Sequence, residues 1–208
     1  MSHDQSKSGA KTLLLSVLMS APGPLVVGLG LLSGKSSTQI ADFVRRSSEL
    51  LAIIVSFVVY LCTADATYDP ARKARLERRS NIFVGAMMCL GGSFMILLSF
   101  LSGNTEKGNV IPGLAIAVMG VIANTLFWRK YTLLNKKQPN AILAVQARLY
   151  RAKSLVDSCV TIALLSVAIA PASPFSGWLD FVGSIIVAIY LIYCGIRTIR
   201  EMAQKANN

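Results

Sequence analysis

Long stretches without a single charged residue, 13–32 and 82–101 among them, constrain this chain more than anything else in it. A helix rises about 1.5 Å per residue, so about 20 apolar residues cross the roughly 30 Å hydrocarbon core of a bilayer. Four further segments fit the same length: 38–62, 110–128, 140–170 and 178–196. The pattern predicts an all-α integral membrane protein, a six-transmembrane-helix bundle. Charged residues make up 15% of the 208, against about 25% in soluble domains, which removes an ordinary cytoplasmic fold and a disordered chain together. Pro22 and Pro24 are expected to kink or break the first helix. A cleaved leader is the rival reading of that segment, but it is long and no small-x-small site follows it.

Charge gives the orientation. Twenty-one Lys and Arg stand against ten Asp and Glu, a net charge of +11. The basic residues gather in the N-terminus, in 72–79, in 129–137 and after 196, while the opposite side holds only Lys35 and Lys107. Basic residues mark cytoplasmic loops, so the N- and C-termini are cytoplasmic, and the location expected is a bacterial-type inner (plasma) membrane. The charge needs no nucleic-acid partner; the bilayer itself is the partner. Residues 65–80 are expected as a basic loop, 171–177 as a Pro/Ser turn, and 34–37 and 103–108 as short polar turns. The division is a polar tail (1–10), a six-helix transmembrane domain (11–202) and a short C-terminal tail (203–208).

Chemistry is sparse. The one histidine, His3, lies in the N-terminal tail, and Cys62, Cys89, Cys159 and Cys194 form no CxxC pair. The cysteines are read as small buried hydrophobes, no cofactor is expected, and no nucleophile-base set points to an enzyme. Glycines of the third and fourth helices, Gly85, Gly91, Gly92, Gly113 and Gly120, are read as allowing close helix packing. Asn124, within the fourth helix, is a hydrogen-bonder or a pathway group.

The informative residues are ionisable groups inside the bilayer, which cost about 2.5–3.5 kcal/mol each on insertion scales. The second helix carries Asp42, Arg45, Arg46 and Glu49; the fifth carries Arg148, Arg151, Lys153 and Asp157. Spacings of three and four place Asp42, Arg45, Arg46 and Glu49 on one broad face, and Lys153 and Asp157 on another. With Lys153 and Asp157 the set holds three acids and three bases, enough for a neutral cluster between the second and fifth helices. It is either a salt-bridge lock or an ion path.

The order of these features resembles the transmembrane domain of the cation diffusion facilitator family. Its second helix typically reads S-x-x-L-x-A-D-x-x-H/D-S-x-x-D. Here Ala41-Asp42 is followed seven residues later by Glu49, with Ser47 one place further along than the family's serine. Arg75-Leu76-Glu77-Arg78-Arg79 before the third helix, Asn124 late in the fourth, Ala141-Ile142-Leu143-Ala144 into the fifth and Trp178-Leu179-Asp180 at the sixth are also similar, over nearly the whole chain.

In that family, two ligands on the second helix and two on the fifth, each pair four residues apart, hold zinc or a similar ion. The matching positions are Arg45 and Glu49 on one side, and Lys153 and Asp157 on the other; an ungapped register gives Leu149 and Lys153 instead. Arginine offers no lone pair, so the usual metal site is read as absent, with Arg45 and Lys153 standing where the ion's charge would be. The family's cytoplasmic C-terminal domain is not expected after residue 208. The resemblance implies cation efflux in exchange for protons, with Glu49 and Asp157 binding cation or proton, and a possible homodimer. The alternative is a non-transporting partner or regulatory protein on the same scaffold, locked by the salt bridges; anion transport on Arg45 and Lys153 is a third reading.

Overall fold

The computed structural model describes residues 3–33, 37–63, 69–101, 111–137, 139–169 and 174–204. The secondary structure among them is all helical: α1 (His3–Ser20), α2 (Pro22–Ser33), α3 (Ser37–Cys62), α4 (Pro70–Leu101), α5 (Ile111–Lys137), α6 (Ala141–Ile169) and α7 (Pro174–Gln204). α1 and α2 form one crossing interrupted at Ala21, so the seven elements make six crossings. Ala21 N still donates to Val17 O at 2.9 Å. The helix breaks at the next residue because Pro22 has no N–H to give the carbonyl four residues back.

Several helices run further than the sequence pattern suggests, and local chemistry explains each. The expected basic loop 65–80 is helical from Pro70. Asp69 Oδ1 accepts from Ala71 N at 3.2 Å, Pro70 takes the favoured first helical position, and no glycine or proline interrupts Ala71 to Ser80. A 32-residue α4 is about 48 Å long, well beyond a hydrocarbon core of about 30 Å, so its basic first turns stand outside the bilayer. α5 continues through the basic stretch to Lys137. After Pro139, Asn140 caps α6, its Oδ1 accepting from Ile142 N at 2.8 Å and Leu143 N at 3.2 Å. α7 starts at Pro174, inside the expected turn, and α1 starts at His3, inside the expected polar tail. Of the expected turn 34–37, Ser37 already begins α3; its other residues, the expected turn 103–108 and Gly113's side of the packing lie outside the described residues.

Among the described residues, three stretches are long and apolar enough, by length and composition, to cross a membrane: Lys7–Val26, Pro70–Leu101 and Phe181–Gln204. Leu29, Phe100 and Ile169 are 65%, 69% and 76% exposed, as side chains are when hydrocarbon rather than water surrounds them. α4 packs along α7 and α5 along α6; α3 joins α4, α6 joins α7, and α1 reaches α3 and α5. The α4–α7 seam is close. A Cβ on Gly92 would stand 2.8 Å from Ala188 O and 2.7 Å from Ile192 Cγ1, and one on Gly195 2.6 Å from Gly85 O. The larger apolar core, including Ile53, Met88, Tyr131, Leu149 and Tyr150, lies where α3 and α5 end and α4 and α6 begin. A smaller one, Met95, Val156, Val187 and Ala188, lies deeper. The cysteines differ from the expectation of uniform burial: Cys194 is buried, Cys89 and Cys159 are half-buried, and Cys62 is exposed at the end of α3.

Candidate functional site

α3 and α6 run antiparallel and meet in one register. Glu49 of α3 faces Lys153 of α6, and seven residues on, Ser56 faces Gln146, seven residues back; Gln146 Nε2 donates to Ser56 Oγ at 2.7 Å. In that register Ile53 falls opposite Leu149, both in the apolar core, and Arg45 falls at the level of Asp157.

The charged groups sit inside this seam. Glu49 Oε1 takes Arg45 Nη1 at 3.3 Å, and Glu49 Oε2 takes Lys153 Nζ at 3.4 Å. The three side chains are only 11–13% exposed, so neither base has swung away to the bilayer surface. One carboxylate therefore holds two cations. Asp157, one turn beyond Lys153, accepts a hydrogen bond from Asn124 Nδ2 of α5 at 2.6 Å and forms no ion pair among the described residues. Gly120, one turn before Asn124, makes room for it: a Cβ there would come within 2.6 Å of Asp157 Oδ2. Arg45, Glu49, Lys153 and Asp157 together are two bases and two acids.

Not every charge on the expected face joins. Arg46, one residue from Arg45, is turned by about 100° around the helix, and its guanidinium lies beside Gly23 of α2. Asp42 is on α3, three residues before Arg45; its side chain lies outside the described residues. Gly91 of α4 closes the third side, the position of its absent Cβ standing 3.8 Å from Arg45 Cγ.

An aromatic layer separates this set from the end where α6 begins. Lys153 Nζ stands 5.2 Å from the centre of the Tyr150 ring, close enough for a cation–π contact. Phe127 and Tyr131 of α5 stack beside it, with centroids 5.0 and 5.4 Å from that of Tyr150. α1 holds the two hydroxyls: Tyr131 Oη lies 2.8 Å from Ser16 Oγ, and Tyr150 Oη 3.3 Å from Ser20 Oγ.

Sequence reasoning missed the uncharged partners. Thr125 and Ser154 share a hydrogen bond of 2.7 Å across α5 and α6, and Gln146 and Ser56 lie one heptad from Lys153 and Glu49, a spacing that would have marked the stripe. It also missed the ion-pair set at the helix ends. Arg148 Nη1 and Nη2 reach the two oxygens of Glu201 at 2.7 and 3.1 Å, and Arg197 Nε reaches Oε1 at 2.9 Å.

Among the described residues no three of His, Cys, Asp and Glu come together. The arrangement fixes Glu49 with positive charge and leaves Asp157 with a neutral amide. An amide satisfies one carboxylate oxygen and keeps the other available to a proton or a cation. No curated protein matched the chain. The cation efflux transmembrane domain matches residues 13–205, a stretch that runs from within the first crossing through the last and holds every residue of the charged seam, and by that match the chain belongs to the cation efflux family of membrane transporters.

Proposed function

We propose that the protein is a proton-coupled cation efflux carrier with a charge-compensated centre, set with both termini in the cytoplasm of a bacterial-type inner membrane. The observation that supports it is the unequal treatment of two buried carboxylates. Glu49 is neutralised by Arg45 and Lys153, whereas Asp157 has Asn124 as its hydrogen-bond partner. On this reading Asp157 is the exchanging group. A proton or cation entering the seam meets Asp157 first, and a dication gains a second carboxylate only when Lys153 withdraws from Glu49. That withdrawal is the step that couples binding to a movement of α6 against α3, as alternating access requires. The basic ends of α4 and α5 support the orientation.

The test is flux in proteoliposomes that hold a divalent-ion dye and a pH dye, challenged with zinc, manganese, cobalt, cadmium and magnesium under an imposed pH gradient. Wild type is expected to move at least one ion with counter-movement of protons. Asp157→Asn, which keeps a hydrogen-bond acceptor for Asn124, should stop flux with unfolding temperature unchanged. Absence of flux from folded wild-type protein overturns the reading. The double ion pair on Glu49 favours a second reading, a non-transporting partner protein locked at α3–α6; that reading expects no flux from the wild type and Asp157→Asn to be silent, whereas Glu49→Gln destabilises the bundle on either reading.

A further inference from the structure

Arg151 has no place in the seam and no acid to pair with among the described residues. It is exposed on the outer side of α6, two residues from Lys153 and so on the opposite side of the helix. Its guanidinium carbon lies 5.7 Å from the centre of the Trp128 ring of α5 and 6.0 Å from that of Tyr190 of α7. α6 packs between these two helices, so Arg151 stands on the floor of a groove with an aromatic wall on either side. Flanking rings hold a guanidinium by cation–π attraction while leaving its in-plane N–H donors unused.

The surroundings are positive at one end and apolar at the other. One turn from Arg151 towards the start of α6, Arg148 pairs with Glu201, which also binds Arg197. Counted with Arg151, three arginines stand against one glutamate, an excess of two positive charges. Arg151 lies about 4.5 Å deeper than Arg148. Further along the same stripe of α6, Leu155 and Ile162 are exposed, and on α7 Ile186 and Ile189 are exposed beyond Tyr190.

A small anion would need only the charged end. An amphiphile with a negative head and hydrocarbon tails needs both, in this order and at this depth. We propose that the α5–α6–α7 groove is a binding site for an anionic phospholipid of the leaflet facing the basic helix ends, with its phosphate on the Arg151 guanidinium and its acyl chains along Leu155, Ile162, Ile186 and Ile189. Arginine suits the site because its planar fork meets two phosphate oxygens at once, and a basic recess between membrane helices is the usual form of a headgroup site.

The experiment uses the full chain, purified in detergent and stripped of lipid, then titrated with dioleoylphosphatidylglycerol, dioleoylphosphatidylcholine or inorganic phosphate. Native mass spectrometry counts bound lipid and thermal unfolding reads its effect. Wild type should retain phosphatidylglycerol in preference to phosphatidylcholine and unfold at a higher temperature with it. Arg151→Gln should bind phosphatidylglycerol about tenfold more weakly, the loss of one charge-assisted contact, and Arg151→Lys should fall between. Should Arg151→Gln not fold, Trp128→Leu removes one wall and is expected to weaken phosphatidylglycerol binding several-fold. Wild-type retention by the folded variants, equal binding of phosphatidylcholine, displacement of the lipid by inorganic phosphate, or occupation of the groove by a second copy of the chain would each overturn the proposal.

Discussion

The α4–α7 seam and the α3–α6 seam join helices of similar length by opposite means. α4 and α7 meet through absent side chains: Gly85, Gly92 and Gly195 let carbonyls and side chains approach to distances that a methyl group would block. α3 and α6 meet through ionised and hydrogen-bonding side chains, Glu49 with Lys153 and Ser56 with Gln146. Lipid tails are as apolar as leucine, so helices in a bilayer gain nothing by merely hiding hydrocarbon from one another. Close packing and interhelical hydrogen bonds are the remaining sources of adhesion. This chain keeps the two apart. The glycine seam has one favourable spacing and is built to stay closed. On the reading proposed above, the charged seam exchanges one partner for another, as a carrier's moving interface needs.

Breaking the charged seam should have the largest effect. Glu49→Gln removes the acid that Lys153 pairs with inside the seam, and leaving a buried charge uncompensated costs about 3–5 kcal/mol; a large fall in unfolding temperature in detergent is the expected reading. Next comes the glycine seam. Gly92→Val drives a branched side chain into Ala188 O and Ile192, at about 2–3 kcal/mol of overpacking, and crosslinking yield between cysteines placed across α4 and α7 should fall with it. Gly120→Ala acts on the contact with Asp157. It should cost about 1 kcal/mol through the displaced Asn124 hydrogen bond and reduce flux more than stability. At the helix ends Arg148→Gln, which loses both bonds to Glu201 across α6 and α7, should cost about 1 kcal/mol. Arg197→Gln, an exposed contact within one helix, should cost under about 0.5 kcal/mol.

The sequence makes these two seams unequally readable. Charges at 45, 49, 153 and 157 stand out because the bilayer makes them costly, and their spacing places each pair on one helix face. What it does not carry is the pairing: that both bases converge on Glu49 while Asp157 goes to Asn124 depends on the α3–α6 register, a property of two helices together. The glycines of α4 were visible as small residues, but Gly195, the partner on α7, has no distinguishing neighbours. The polar pattern suggests loop at helix ends that remain helical. Ala71 to Ser80 and Arg129 to Lys137 are polar yet contain no breaker, so their helices run on into water. Arg151 is one charge among several on the fifth helix, and only the positions of Trp128 and Tyr190 on neighbouring helices separate it from the rest.

Lys153 stands as a built-in cation beside Glu49, and a double-mutant cycle measures how strongly the two hold one another. Unfolding free energies of wild type, Glu49→Gln, Lys153→Met and the double variant would be compared in one detergent. The expected result is strong non-additivity: Lys153→Met placed on Glu49→Gln should recover about 2 kcal/mol or more, because it removes a base left without its full complement of acid. Effects that add to within about 0.5 kcal/mol would mean that the two groups do not hold one another, and would contradict the account.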